Sequence, residues 1–129
     1  MRMQRIQSDK APPVKTGYAQ AIEFGRAKRT LLVSGQIPVD VEGTVPAGFD
    51  AQCRLVWRNI FAQLDAAGMT IANIAKVTIF LSSREYAVPN RTIRMEMLGD
   101  HEPALTCIIT GIFDEAWLLE IEALAIEEA

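Results

Sequence analysis

The strongest pattern in the chain is a run of apolar residues at helical spacing between Phe49 and Ala67. Steps of four, three, four, four and three residues place one set on a single helix face: Phe49, Cys53, Val56, Ile60, Leu64 and Ala67. Trp57 and Phe61 widen this face, so the helix should pack broadly against a sheet. Gly68 follows the last apolar position and suits the left-handed conformation that ends many helices.

Strand-like segments precede this helix. Residues 1–16 are predicted to hold a lead-in strand followed by an irregular segment. The segments 18–24 and 30–33 are predicted to form a β-hairpin around a turn at residues 25–28. The run Ser34-Gly35-Gln36-Ile37-Pro38 is expected to break the second strand, because glycine permits unusual backbone angles and proline donates no hydrogen bond.

A second set of elements follows the helix. Residues 74–81 are rich in β-branched side chains and predict a strand. Pro89 fits the first turn of a second helix that carries Ile93 and Met97 inward, and Gly99 would close it. Residues 105–110 and 117–126 predict two further strands.

The predicted order is therefore β-β-β-α-β-α-β-β, which indicates an α+β sandwich of two layers, with residues 1–129 forming one domain. In the last strand, the two-residue period separates an apolar face, with Leu119 and Ile121, from a face that carries Glu120 and Glu122. Because that second face bears two carboxylates, it should meet water or a polar subunit interface rather than an intrachain core.

Charge and residue usage exclude several classes of protein. The net charge of −3 and the scattered basic residues argue against nucleic-acid binding, because phosphate neutralisation supplies much of that affinity. The one basic cluster, at residues 26–29, is interpreted as a solvated hairpin turn. A single histidine, His101, without a nearby cysteine partner gives no support for a metal site and is interpreted as an ordinary solvated loop residue.

Nothing in the sequence indicates export or a membrane span. The basic start of the chain lacks a following apolar run, and the apolar stretches are too short to cross a bilayer, so we expect a cytoplasmic protein. Cys53 is predicted on a helix and Cys107 in a strand, both among apolar neighbours. This usage does not suggest a secreted disulfide scaffold, although a bond between the two is left open.

Several short motifs occur together in one order along the chain. They are Tyr18-Ala19-Gln20-Ala21, Ser34-Gly35-Gln36-Ile37-Pro38, Gln52, Asn59-Ile60, Ala66-Ala67-Gly68, Lys76-Val77-Thr78-Ile79-Phe80-Leu81, Asn90 and Leu119-Glu120-Ile121-Glu122-Ala123. In this combination the chain resembles the YjgF/Rid (reactive intermediate deaminase) family, also described as endoribonuclease L-PSP or translation initiation inhibitor. The resemblance runs from about Tyr18 to the C-terminus.

The resemblance implies a chorismate-mutase-like α+β fold. It also implies a homotrimer whose sheets enclose a central barrel, with a ligand cleft at each subunit boundary. The best-known members hydrolyse enamine and imine intermediates, released by pyridoxal-phosphate enzymes such as threonine dehydratase, to a 2-keto acid and ammonia. No metal or organic cofactor is implied, and the expected partners are a small-molecule ligand and further copies of the chain.

The resemblance also implies roles for individual residues. Glu120 matches the glutamate that orients water and shuttles the proton, a general acid–base role. The backbone at Cys107 matches the position that holds the water or ligand. Tyr18, Ser34 and Gly35 match residues that line the pocket, and Asn90 matches an asparagine near the cleft.

The resemblance fails at one position that bears on the substrate. Leu105 stands where the deaminases carry an arginine that clamps the substrate carboxylate through paired hydrogen bonds. Loss of that contact should remove about 1.5–3 kcal/mol of binding and alter the substrate. Arg91 or Arg94 on the second helix could supply another guanidinium, but their positions favour surface helix residues.

Three functions follow from these residues. The first is a Rid-type hydrolase acting on a C=N bond, with Glu120 positioning water and Leu105 forming an apolar wall. The second is a metabolite-binding trimer without turnover, suggested by the missing arginine. The third is an endoribonuclease or translation inhibitor, which the negative net charge and the absence of a histidine pair disfavour.

Overall fold

The computed structural model describes residues 2–14 and 17–129. Within these ranges the strands and α-helices follow the predicted order β-β-β-α-β-α-β-β. Their bounds are β1 Gln4–Ile6, β2 Ala21–Glu23, β3 Ala27–Gln36, α1 Phe49–Ala66, β4 Ile74–Leu81, α2 Ala87–Leu98, β5 Ala104–Ile109 and β6 Leu119–Glu128. A single turn of 3-10 helix precedes both β4 and α2.

The main sheet has the strand order β3-β6-β4-β5. Strand β6 runs antiparallel to both β3 and β4, whereas β4 and β5 are parallel. A parallel pair needs a crossover connection, and α2 supplies it. Both helices therefore cover one face of a mixed sheet, which confirms the predicted two-layer α+β architecture.

The core lies between α1 and the sheet. Trp57 and Ile60 on α1 are fully buried, as are Ile79 on β4 and Ile121 on β6. The apolar stripe predicted for α1 supplies these contacts, and its buried residues are Phe49, Gln52, Cys53, Val56, Trp57, Ile60 and Leu64. Burial of this stripe, rather than helix propensity alone, accounts for the stability of the helix.

Both helices end as the sequence predicts. Gly68, just past α1, has φ of 70°, and Gly99, which caps α2, has φ of 62°. These values lie in the region that side chains with a Cβ rarely adopt. Pro89 falls in the first turn of α2, where its missing N–H costs no helical hydrogen bond.

The predicted hairpin between the second and third strands is wrong. Strand β2 pairs with β1, with Arg5 opposite Ile22, and forms a separate two-stranded sheet. Strand β3 instead pairs with β6 along nearly its whole length, from Ala27 opposite Glu128 to Gln36 opposite Ile121. The ten-residue β3 finds far more ladder partners along β6 than the three residues of β2 could offer.

The third strand also extends beyond the predicted segment. It continues through Ser34 and Gly35 to Gln36, and a register shift between Val33 and Gln36 marks an irregularity where a break was expected. An irregularity of this kind bends a strand and re-aims its side chains without ending it. The last strand likewise lies two residues further along the chain than predicted, at Leu119–Glu128.

The basic cluster at residues 26–29 does not form a hairpin turn. Lys28 and Arg29 lie within β3, and the Arg29 guanidinium binds the Glu127 carboxylate on β6 with Nη2 and Oε1 2.8 Å apart. The hydrogen bond from Arg29 holds the pKa of Glu127 below its usual value. This cluster therefore joins neighbouring strands.

The two faces of β6 differ as the two-residue period predicts. Leu119 and Ile121 are fully buried beneath the helices, whereas Glu122 is exposed on the opposite face. On that opposite face, which we call the outer face, Leu32 of β3 is 74% exposed and Ile108 of β5 is 45% exposed. Within the described residues, therefore, the outer face lacks a covering layer.

In residues 2–14 and 17–129, no helix combines the length and the apolar character that a membrane span requires.

Shortening a side chain at the centre of this core should destabilise the chain. We expect Ile79→Ala to lower the free energy of unfolding by about 2–5 kcal/mol, because it removes fully buried methyl groups and leaves a cavity between the sheet and α1. Chemical denaturation followed by circular dichroism measures this change. Val41→Ala, at a fully exposed loop position, is the matched control and should shift stability by less than about 0.5 kcal/mol. Equal effects of the two substitutions would contradict this assignment of the core.

Candidate functional site

A groove of about 620 Å³ lies between α2 and the edge strand β5, on the helix side of the sheet. This volume is typical of small-molecule sites. We call it the α2–β5 groove, and its lining residues are Tyr18, Gln20, Leu81, Arg84, Ala87, Asn90, Arg91, Arg94, Leu105, Cys107 and Ile109. Four of the residues that the family resemblance singled out, Tyr18, Asn90, Leu105 and Cys107, are thus brought together.

Strand β5 forms one wall of this groove. Leu105, Cys107 and Ile109 are spaced two residues apart and share one face of the strand. In the parallel register, Leu105 lies opposite Val77 and Ile109 lies opposite Leu81, so the wall faces the same side as the core. Leu105 therefore presents an apolar side chain to the groove.

Helix α2 forms the opposite wall. Ala87, Asn90, Arg91 and Arg94 lie at positions i, i+3, i+4 and i+7, which places them along one face of the helix. Arg84, in the turn before α2, extends the same wall. Three arginines therefore line the groove, and none of its lining residues is acidic.

Tyr18 closes one end of the groove. The backbone N–H of Ala19 donates to the carbonyl of Pro103 at 2.9 Å, which ties this segment to the start of β5. The Tyr18 ring then lies beside α2, with the Arg94 guanidinium carbon 6.0 Å from the ring centroid. At this distance the ring attracts the cation.

The structure corrects the prediction that Arg94 lies on the surface. Its side chain is only 4% exposed, and its Nε has no hydrogen-bond partner among the described residues. Burial, followed by repulsion from Arg91, lowers the pKa of Arg94 from its usual value. Arg91, by contrast, is exposed, as predicted. The spacing of Arg94 four residues after Asn90 was the one signal in the sequence that pointed to the groove.

Asn90 is the second buried polar residue of the groove, at 3% exposure. Its Nδ2 lies 4.0 Å from the Cys107 sulfur, and its Oδ1 has no partner among the described residues. A buried acceptor without a donor is costly. Asn90 can therefore accept a hydrogen bond from a bound molecule.

The two cysteines differ in their surroundings, and both are free thiols. Cys53 is buried, and desolvation raises the pKa of its thiol to about 12. Cys107 is exposed, although it was predicted in a strand among apolar neighbours. The physical reason is its position on the edge strand, where the groove leaves the side chain open.

The remaining predicted site residues lie elsewhere. Glu120, on β6, is opposite Phe80 of β4 and points to the outer face. Its half-buried carboxylate lies directly over Gly35 of β3. A Cβ added at Gly35 would stand 1.8 Å from Glu120 Oε2, so only glycine leaves room for this contact. Ser34 is exposed on the same face.

Within one copy of the chain, the predicted site residues therefore form two separate sets. Tyr18, Asn90, Leu105 and Cys107 lie in the α2–β5 groove on the helix side. Ser34, Gly35 and Glu120 lie on the outer face, and strand β4 separates β6 from β5 in the sheet. The structure of one chain does not bring the carboxylate of Glu120 into the groove.

The described part of the chain has no group of three or more histidine, cysteine or acidic side chains placed to bind a metal ion. His101 is half-buried rather than solvated, and its Nε2 lies 2.7 Å from the carbonyl oxygen of Ile74. This contact links the β4 start to the connector before β5.

Comparisons with known proteins agree with this architecture. A family model described as "Endoribonuclease L-PSP" matches residues 8–127. A RutC family protein from Haemophilus influenzae is 35% identical, over 99% of this chain and 100% of that protein. A 2-iminobutanoate/2-iminopropanoate deaminase from Escherichia coli is 32% identical, over 94% of this chain and 95% of that protein.

A solved structure of low sequence identity has the same fold. A Rid-family protein from Yersinia pestis superposes with a TM-score of 0.85 at 24% identity, covering 98% of this chain and 99% of that one. Together, the extent of the family match, the identity to full-length relatives and the shared fold show that the chain belongs to the Rid (endoribonuclease L-PSP) family.

The contact between Gly35 and Glu120 can be tested directly. We expect Gly35→Ala to rotate the Glu120 side chain away from β3, because the new methyl group would occupy the position of its carboxylate oxygen. The free energy of unfolding should change by less than about 1 kcal/mol, since the end of a flexible side chain can move without disturbing the core. A crystal structure of the variant and a denaturation curve give both quantities. An unmoved carboxylate would show that the contact is not constraining.

Proposed function

We propose that the chain is a metal-independent hydrolase of small imines or enamines, with its reaction site in the α2–β5 groove. The observation that carries this proposal is a groove of small-molecule size with two buried polar side chains, Asn90 and Arg94, each of which has one buried atom without a hydrogen-bond partner among the described residues. The name of the 32%-identical relative, a 2-iminobutanoate/2-iminopropanoate deaminase, supports the reaction class.

The proposal includes a homotrimer in which a neighbouring copy completes each groove. In one chain, Glu120 faces away from the groove, yet the outer face that carries it exposes apolar side chains such as Leu32 and Ile108. Exposed apolar patches commonly mark subunit interfaces. Association through these faces would cover the patch and bring Ser34, Gly35 and Glu120 of one copy towards the groove of the next.

The chemistry needs few groups. The carbon of a C=N bond is electrophilic, so a held water can add to it and form a carbinolamine. In this step Glu120 accepts a proton from the water and passes it to the substrate nitrogen, the general acid–base role. The same carboxylate then carries the hydroxyl proton to the amino group, the C–N bond breaks, and the products are a carbonyl compound and ammonia.

Leu105 and the contact at Gly35 shape this site in different ways. Leu105 cannot donate a hydrogen bond, so we infer that it faces the apolar part of the substrate and alters the substrate range relative to the deaminases. Gly35 leaves room for the Glu120 carboxylate to lie against the backbone of β3. Asn90 and the backbone at Cys107 remain the proposed contacts for substrate nitrogen and water.

The ribonuclease activity suggested by the name of the family model has less support from these side chains. The net charge is −3, and the chain has one histidine, whose ring nitrogen contacts the Ile74 carbonyl. A groove of about 620 Å³ suits a small molecule rather than a polynucleotide. We further propose that residues 1–129 act as one domain in the cytoplasm, where such metabolites arise.

The role of Glu120 can be tested by an isosteric change. We expect Glu120→Gln to slow hydrolysis of 2-iminobutanoate by about 100-fold or more, because the amide cannot accept the proton from water. The imine is generated in situ by threonine dehydratase, and ammonia release above the spontaneous rate is measured. Binding of 2-oxobutanoate should change little.

Glu122→Gln is the matched control, since Glu122 lies two residues along the same strand and on the same face. It should retain wild-type turnover. Equal rates in wild type and Glu120→Gln would contradict the acid–base assignment. Binding of 2-oxobutanoate by a wild-type protein that hydrolyses no imine would instead indicate a metabolite-binding trimer.

The proposed assembly gives a separate expectation. The protein should sediment as a trimer at micromolar concentration, because a single chain leaves the apolar side chains of its outer face in water. Leu32→Glu should shift the equilibrium towards monomer, since a charge at that position would be buried without a partner. Analytical ultracentrifugation measures both. A monomeric wild type would contradict the shared-groove arrangement.

A further inference from the structure

Arg94 carries a buried charge that has no counter-ion among residues 2–14 and 17–129. Within the described residues, the acidic side chains in salt bridges are Glu102, Glu127 and Glu96, and each binds a cation other than Arg94. The side chain is 4% exposed and its Nε is unpartnered. Removing a cation from water without a partner is costly.

The groove around Arg94 reinforces this imbalance. Arg84 and Arg91 line the same groove from exposed positions, and no acidic residue lines it. An anion entering the groove would therefore meet only positive charge. Arg94 is the most deeply buried of the three arginines. Water would therefore screen its contact with a bound anion less than it screens contacts with Arg84 or Arg91.

The Arg94 side chain is also held in position before any ligand binds. The Tyr18 ring lies 6.0 Å from its guanidinium carbon. Gly17 also lies close to the guanidinium, since a Cβ added at Gly17 would stand 3.1 Å from Arg94 Nη2. Gly17 has φ of 75°, a conformation that favours glycine. A guanidinium fixed in this way loses little further freedom on binding.

The surroundings of Arg94 differ along the groove. Leu105 and Ile109 on β5, with Leu81 and Ala87, supply apolar side chains, and Asn90 offers an unpaired acceptor one helical turn from Arg94. A complementary molecule would carry an anionic group, an N–H donor near that group, and a short apolar chain. Imino acids with aliphatic side chains have this combination.

We propose that Arg94 is the residue that binds the substrate carboxylate, and that it determines specificity for anionic substrates with an aliphatic chain packed on Leu105. The anchoring guanidinium comes from α2 instead of β5, across the groove. In this arrangement the α2 wall binds the carboxylate through Arg94. The β5 wall, where Leu105 is apolar, packs against the aliphatic chain.

This inference rests on the proposed function for the site it uses, but binding tests it without turnover. The probe pair is 2-oxobutanoate, which carries the carboxylate, and its uncharged primary amide. Isothermal titration calorimetry on the intact protein gives Kd for each. We expect wild type to bind the acid about ten-fold or more tightly than the amide, as expected for a charge-assisted contact.

Arg94→Gln should weaken acid binding by about ten- to a hundred-fold and abolish the preference for acid over amide. Arg94→Lys, which keeps the charge but not the paired N–H geometry, should retain part of the preference. Arg58→Gln, at an exposed position on α1 away from the groove, is the matched control and should bind both probes as wild type does. For imine hydrolysis, Arg94→Gln should raise KM more than it lowers kcat.

The outcomes separate the two proposals. If wild type binds the acid no better than the amide, the inference about Arg94 is overturned, even if Arg94→Gln does not fold. The same holds if Arg91→Gln, and not Arg94→Lys or Arg94→Gln, removes the preference. If acid binding depends on Arg94 but no imine is hydrolysed, Arg94 is supported as the anion-binding residue and the proposed hydrolase activity fails.

Discussion

Helix α1 packs against the buried faces of β6 and β3, and this contact sets the helix side of the sheet. Trp57 and Ile60 on α1 share one fully buried apolar cluster with Ile79 and Ile121 of the sheet. With α1 over β6 and β3, α2 covers the β4–β5 side. The crossover between these parallel strands then places α2 beside the edge strand, and the space between them is the groove.

The sequence predicted this framework because strong periodicity and clear end signals specified it. The apolar stripe of α1, Gly68, Gly99 and the β-branched residues of β4 all indicated the elements that were found. The pairing of the early strands was wrong because a turn at Gly25 looks the same locally whether or not a hairpin follows. The partner of β3 is β6, almost a hundred residues further along the chain, and the ladder of β3 with β6 is longer than any ladder with β2 could be.

The sequence indicated some residues of the α2–β5 groove and misplaced others. Asn90, Leu105 and Cys107, which the family resemblance singled out, line the groove, and their roles there stay predictions. Arg94 was named as a possible source of a guanidinium but was predicted on the surface, because arginine on a helix is normally solvated. Its burial depends on a segment around Tyr18 that is distant in sequence. Glu120 was assigned to the same site, yet in one chain its side chain points to the opposite face of the sheet. Long-range coverage decided the position of Arg94, whereas the two-residue period of β6 already placed Glu120 on the face opposite the core.

The close approach of Gly35 to Glu120 has a consequence for inherited variation. Any missense change at this codon adds at least a methyl group where the carboxylate oxygen lies, while the core beneath the sheet is untouched. Alanine, the smallest such change, would leave the core intact and so yield a protein that accumulates to near-normal levels but carries a displaced carboxylate. Measurements of protein abundance would not detect this defect, and only an activity assay of the intact assembly would reveal it.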